Sequence, residues 1–308
     1  MTDHTAISAP ARPAGLGFRK ARDRVVEAGL VAAALVAVFT TIAIVVVLVA
    51  ESIPFFRNVS IVEFLTDTMW TPLFADARYG ILPLVAGTLV TTLVALAVAI
   101  PCGTIIAIYL SEFAPYRVRE AIKPALELLG AVPTVVYGYF ALLVVTPVLQ
   151  RFIPELPGFN MLSAGLVIGI MIIPYVASVS EDAMRAVPNY MREGSYAMGA
   201  TRFQTATRVV VPGALSGIAA AYILGISRAV GETMVVAVAA GLQPNLTWDP
   251  TEPAATITAF IVQVSLGDLP HDSIGYQSIF AAGLVLMLIT LVFNIAGFSL
   301  TRRFREVY

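Results

Sequence analysis

Apolar residues run along this chain in long, nearly unbroken blocks, and polar residues gather in the gaps between them. Six blocks reach the roughly 20 residues that a helix needs to cross a hydrocarbon core. They lie at about 25–50, 82–110, 124–149, 162–180, 214–242 and 279–300. The pattern predicts an all-α integral membrane protein with six transmembrane helices. The apolar core of the first block is about 25 residues long, beyond the 7–15 of a cleaved signal, and no small-residue cleavage site follows cleanly. It reads as a retained anchor. Pro101, Pro133, Pro147 and Pro174 interrupt the blocks without a paired pattern, and isolated prolines are tolerated in membrane helices.

The cations set the orientation. Arg12, Arg19, Lys20, Arg22 and Arg24 precede the first block; Arg117, Arg119 and Lys123 separate the second from the third. Arg185, Arg192, Arg202 and Arg208 separate the fourth from the fifth, and Arg302, Arg303 and Arg305 follow the sixth. These 15 fall on one side of a six-span chain, and only Arg57, Arg78 and Arg151 on the other. The expectation is a multi-pass protein of the bacterial plasma (inner) membrane, N-in and C-in. Cytoplasmic tails are expected at 1–24 and 302–308, with a transmembrane domain at 25–301. The two long outer segments, 51–80 and 243–278, carry Trp70, Tyr79, Trp248 and Tyr276. Such residues prefer the membrane interface, and either surface loops or a docking surface for an external partner fits them.

Composition removes several functions. Apolar residues are 58% and charged residues 13% of the chain, about half the charged fraction of a soluble domain. Cys102 is the single cysteine, and His4 and His271 lie outside the blocks. Neither an internal disulfide nor a metal site is expected. Lys20 and Lys123 are the two lysines, and neither stands in a phosphate-binding G-x-x-x-x-G-K-[ST] loop. The chain is therefore not expected to hydrolyse ATP or to hold a cofactor. The spans are poor in His, Asp and Cys, which argues against acid–base chemistry and gives no catalytic residues. The expected surroundings are a lipid bilayer, with no nucleic acid.

The gap before the fifth block reads EDAMRAVPNYMREGSYAMGATRFQTATRVVVPG, residues 181–213. Pro188 and Asn189 suit a helix start, and a short helix is expected over about 190–198. Gly199 fits its C-terminal cap, and Thr201 with Gln204 has the spacing of a capping box that starts a second helix. Pro212 closes that helix at the membrane. The exposed corner carries Met198, Ala200 and Phe203.

The fifth block contains Arg228 and Glu232, four residues apart and so expected on one helix face. Counting 1.5 Å per residue from Ala214 places Arg228 about 21 Å along the helix, where a lone charge costs at least about 2.5–3.5 kcal/mol. The pair reads either as a structural ion pair or as a station on a substrate path. An arginine fork suits a tetrahedral oxyanion, with Ser227 and Thr233 as candidate hydroxyl donors. An acid beside it favours an anion that still carries a proton, as phosphate does near neutral pH and sulfate does not. Glu127, four residues after Lys123, is expected to pair with it.

These motifs resemble a family. The loop is similar to the EAA loop of ABC-importer permeases, with Glu193, Gly199, Val209, Val211 and Pro212 at the matching places, and Gly194 and Ser195 where the family has alanines. Further runs resemble the phosphate-specific permeases, PstC: WTPLFAD from Trp70, YGILPLVAGTL from Tyr79, SEFAP from Ser111, VPTVVYG from Val132 and SRAVGETM from Ser227. The sister permease, PstA, shares part of this set. The resemblance implies a type I ABC importer permease fold whose 181–213 loop is a coupling helix fitted to an ATPase subunit. It implies a complex with a PstA-like sister permease, two PstB-like ATPase subunits that use ATP and Mg, and an extracytoplasmic PstS-like phosphate-binding protein. It also implies roles in transporting inorganic phosphate for Arg228 and Glu232, with coupling roles for Glu193, Gly199, Ala200, Phe203 and Pro212. The alternatives are a permease for sulfate or molybdate and a proton-coupled secondary transporter.

Overall fold

The structure, a computed structural model, describes residues 16–74, 76–270 and 273–303. His4, His271, Arg12 and Arg305 lie outside them. Apart from an isolated bridge between Trp70 and Tyr79, the regular structure of the described residues is helical.

The described residues form two bodies, divided between Ala50 and Glu51. The first is most of helix α1 (Leu16–Asn58). Its side chains from Val25 to Val49 are exposed almost throughout, with no polar stripe. A helix that is apolar all round is one that lipid can surround.

The second body contains α2 (Ile61–Thr66), α3 (Leu82–Ile108, ending in a π-helical turn, Tyr109–Phe113), α4 (Tyr116–Ala131) and α5 (Thr134–Gln150). After these come α6 (Met161–Arg185), α7 (Asn189–Ala197), α8 (Arg202–Gly213) and α9 (Leu215–Val230). The last are α10 (Met234–Ala239), α11 (Ile257–Gln263) and α12 (Ile274–Arg303). At the centre α3 packs on α6. Gly165 and Gly169 make this possible: a Cβ on Gly165 would stand 2.7 Å from Val94 Cβ, and one on Gly169 2.8 Å from both the Ala95 carbonyl oxygen and Val98 Cβ. Small residues one turn apart let two membrane helices approach closely. Ala95, Ala99, Ala164, Ile168 and Ile172 fill the seam and are fully buried.

Four single helices are long and apolar enough to cross a membrane: α1, α3, α6 and α12. The expected third and fifth spans differ from simple rods. α4 and α5 meet at 89°, and α8 and α9 at 72°, so six spans result when each bent pair counts as one. Pro133 explains the first bend. It cannot donate to the helix ladder, and it drives Val132 to an extended ψ of 132°. The 214–242 block is broken again where α9 stops at Val230 and α10 begins at Met234. Within that gap the Glu232 carbonyl accepts the Thr258 hydroxyl at 2.7 Å instead of a helical N–H.

The outer segment 51–80 is folded rather than loose. Phe55, Phe64, Trp70, Tyr79 and Phe260 pack edge to face, with ring centroids as close as 4.9 Å for Trp70 and Phe260. Trp70 is 1% exposed, so it is a core residue and not the interface anchor that its type suggested. Trp248, 64% exposed, keeps that option.

Candidate functional site

Two places on the second body gather the residues singled out by sequence. The first is the 181–213 loop. Pro188 stands at the N-cap position as expected, and α7 begins at Asn189, one residue ahead of the expected 190. Gly199 follows with φ +83° and nothing within 4 Å of where a Cβ would be, so the backbone conformation and not lack of room requires glycine there. The capping box is complete: the Thr201 hydroxyl oxygen accepts the Gln204 N–H at 3.3 Å, and Gln204 Oε1 accepts the Thr201 N–H at 2.9 Å. Met198 and Phe203 are 89% and 67% exposed at the corner; Glu193 is exposed and Ala200 half-buried. Pro212 lies in α8 just before the bend into α9.

The base of this loop holds a group that sequence reasoning missed. The Glu181 carboxylate is fully buried, and its oxygens accept Arg119 Nε at 2.7 Å and Lys123 Nζ at 2.9 Å, with Arg185 Nη1 at 3.7 Å. Lys123 also reaches Asp182 at 2.9 Å. The expected pairing of Lys123 with Glu127 does not form: the ammonium turns towards the buried acid, where less water competes for it, and Glu127 is exposed. Beside this knot Arg192 Nη2 donates to Glu112 at 2.9 Å and to the Met184 carbonyl at 2.8 Å, and its Nη1 donates to the Val187 carbonyl at 2.6 Å. Glu112 sits in the π-helical turn after α3, a distortion that re-aims side chains. Glu181 stands where the apolar block ends and reads as an ordinary loop start. Its partners on α4 lie 58 and 62 residues away in sequence, beyond any local spacing rule.

The second place is an open cavity of about 360 Å³ lined by Thr134, Ser227, Arg228, Gly231, Glu232 and Thr233. The break in the fifth block shapes it. Arg228 is in the last turn of α9 and Glu232 lies beyond the helix end, so the two share a cavity and not a helix face. No ion pair joins them among the described residues. The Arg228 guanidinium instead lies 4.3 Å over the Tyr175 ring, a cation–π contact. Its Nε is buried and has no hydrogen-bond partner. Glu232 Oε1 accepts the Val235 N–H at 3.4 Å at the start of α10. The Ser227 hydroxyl donates to Asn294 Oδ1 at 3.4 Å and the Thr233 hydroxyl to the Gly231 carbonyl at 3.1 Å. Each has one proton, so each must turn to serve a ligand. Tyr175 and Thr134 are the additional residues here. Thr134 reaches the cavity because the chain turns at Pro133, and the only hint of Tyr175 in sequence is a polar aromatic inside an apolar block.

With this geometry the chain can be set beside known proteins. Residues 99–306 match the family described as binding-protein-dependent transport system inner membrane component. The chain is 35% identical over 264 residues to the probable ABC transporter permease protein YqgH of Bacillus subtilis, covering 85% of each. It is 34% identical over 263 residues to the phosphate transport system permease protein PstC of Mesorhizobium japonicum, covering 78% of each. To PstC 1 of Mycobacterium tuberculosis it is 33% identical over 279 residues, covering 78% of this chain and 82% of that one. Among solved structures, a chain of a bacterial ABC transporter involved in the import of the acidic polysaccharide alginate superposes with a TM-score of 0.65 at 17% identity, over 95% of this chain and 100% of that one. A chain of the inward-facing MetNI methionine ABC transporter gives 0.55 at 18%, over 74% and 95%. These two likenesses concern the fold alone.

Proposed function

The chain belongs to the family of binding-protein-dependent inner membrane transport components, and on that premise we propose that it is the phosphate-conducting permease of an ATP-driven importer. The observation that carries this reading is the cavity at the break after α9, where Arg228 presents a buried Nε with no partner. An unmet cationic donor inside an apolar body is costly unless something arrives to meet it. A tetrahedral anion supplies that partner, and the planar fork of arginine binds it by parallel hydrogen bonds. Glu232, 8% exposed on the same cavity, repels a fully ionised anion and accepts a hydrogen bond from one that retains a proton. Ser227 and Thr233 turn their hydroxyls to complete the shell. The phosphate permeases among the relatives support this choice of cargo.

The transport machine follows the same reading. An extracytoplasmic phosphate-binding protein delivers the anion, and a sister permease forms the other half of the path. Two ATPase subunits, using ATP with Mg²⁺, seat the corner formed by Met198, Ala200 and Phe203, with Glu193, Gly199 and Pro212 shaping the loop that receives their motion. This chain contributes no catalytic group and holds no cofactor or metal; it conducts and couples.

The test is phosphate uptake by the complete complex in proteoliposomes, with Arg228→Ala beside the wild type. The variant is expected to assemble and to lose uptake. Undiminished uptake overturns the role of Arg228, and equal transport of sulfate by the wild type overturns the choice of cargo.

A further inference from the structure

Glu181 has no place in the transport path, yet it is the most completely buried carboxylate of the loop base, and its closest cations come from another helix. We infer that Glu181 is a positioning residue that makes α4 move with the coupling loop, so that a displacement of the loop reaches the wall of the Arg228 cavity. This rests on the reading of residues 181–213 as the loop that the ATPase engages.

The connection can be followed atom by atom. α6 ends at Arg185 and α7 begins at Asn189. Arg192 of α7 ties back to the carbonyls of Met184 and Val187 and to Glu112, so the end of α6, the loop helix and the turn after α3 are held together. Glu181, one turn inside α6, is bound through Arg119 and Lys123 to α4. Higher on the same two helices the Tyr175 hydroxyl donates to the Gly130 carbonyl at 3.3 Å. The pair α4 and α6 is thus tied near both ends of α4. Immediately beyond Gly130 the chain turns at Pro133 into Thr134, which lines the cavity, and the Tyr175 ring itself carries the Arg228 guanidinium. A buried ion pair is poor evidence for stability, because apolar packing of the same volume often serves as well. What the Glu181 knot supplies is direction: two cations of α4, one turn apart on one carboxylate of α6, fix both the separation and the rotation of the two helices.

The experiment uses the complete complex in proteoliposomes and reads two rates, ATP hydrolysis and phosphate uptake. Glu181→Gln keeps the volume and removes the charge; Arg119, 19% exposed, can hydrate, and Lys123, 26% exposed, keeps Asp182 at 2.9 Å. The expected result is a complex that retains its ATPase and hydrolyses ATP, with uptake per ATP reduced at least tenfold. Glu181→Asp should recover part of the loss, which a purely structural role does not predict. An unchanged uptake per ATP in Glu181→Gln overturns the inference. Should that variant fail to assemble, a second measurement decides: Lys123→Cys with Asp182→Cys, on a Cys102→Ala background, joined by a reducible bismaleimide. Uptake that survives the cross-link supports concerted movement. Uptake that stops on cross-linking and returns on reduction overturns it. Gly199→Lys separates the two levels of argument. If it leaves transport coupled, the loop reading itself falls; if it uncouples transport while Glu181→Gln does not, only the role of Glu181 falls.

Discussion

The knot at Glu181 and the cavity at Arg228 are built from the same kinds of charged side chain and treat them in opposite ways. At Glu181 a fully buried acid meets cations at 2.7, 2.9 and 3.7 Å. At Arg228 a cation and an acid face one cavity and do not pair, and a guanidinium nitrogen goes without a hydrogen bond. A charge that the protein has satisfied serves to hold helices. A charge left incomplete is kept for something that comes and goes. The difference comes from the backbone: the first pair bridges two intact helices, whereas the second straddles a helix that has been interrupted.

The hardest blow to this contrast is Arg228→Ala. Removing the charge-assisted hydrogen bonds, about 1.5–3 kcal/mol, is expected to lower phosphate uptake by about 100-fold in proteoliposomes while the melting temperature of the complex barely moves. A large loss of thermal stability with normal uptake would make Arg228 a structural residue after all. Arg228→Lys sharpens the same point. It keeps the charge and loses the fork, so uptake should fall by about tenfold, the factor that about 1.4 kcal/mol represents.

The knot side is tested by Glu112→Ala. Its side chain is 5% exposed against Arg192 at 14%, and loss of a charged hydrogen-bonded partner costs about 1–3 kcal/mol. Residues 186–200 should exchange amide hydrogens faster in that variant, with a smaller effect on uptake. Slower or unchanged exchange removes the picture of a latched loop. The smallest effect belongs to an ion pair on the outer surface, Asp67 with Arg78 at 2.8 Å. The hydrogen bond from Arg78 holds the Asp67 carboxyl below its ordinary value. The stabilisation is therefore present above the unfolded pKa of about 3.9 and is lost as the pH falls through the depressed folded value. Acidification into that window should loosen residues 67–80 in the wild type and leave Asp67→Asn, already without the pair, less affected; equal responses in both count against the pair.

The sequence made the loop legible in detail, because its signals are local: Pro188 before a helix, Gly199 after it, Thr201 and Gln204 three apart. The spans were legible as apolar blocks, yet their breaks were not. Hydropathy counts side chains and is blind to whether the backbone between them continues, so Val132–Pro133 and Gly231–Thr233 passed as helix. Arg228 and Glu232 stood out because charge inside an apolar block is expensive wherever it occurs. Their separation onto two sides of a helix end was hidden by the spacing of four that normally unites a pair. Glu181 was hidden for the opposite reason: it lies at a block boundary where acids are ordinary, and only the fold brings Arg119 and Lys123 to it. Trp70 was misread because residue type indicates an interface anchor, and only packing reveals a core ring.

The seam between α3 and α6 has a consequence for inheritance. Every coding change at Gly165 or Gly169 adds at least a methyl group, and at both positions that group meets a carbonyl oxygen as well as a side chain, at 3.0 Å from Thr91 and 2.8 Å from Ala95. A neighbouring valine can rotate or be replaced, but a peptide oxygen cannot be mutated away. These two glycines therefore have no conservative neighbour in the genetic code, and a saturation library should rank them among the least forgiving codons of the chain, although neither touches the cavity, the loop or any charged group.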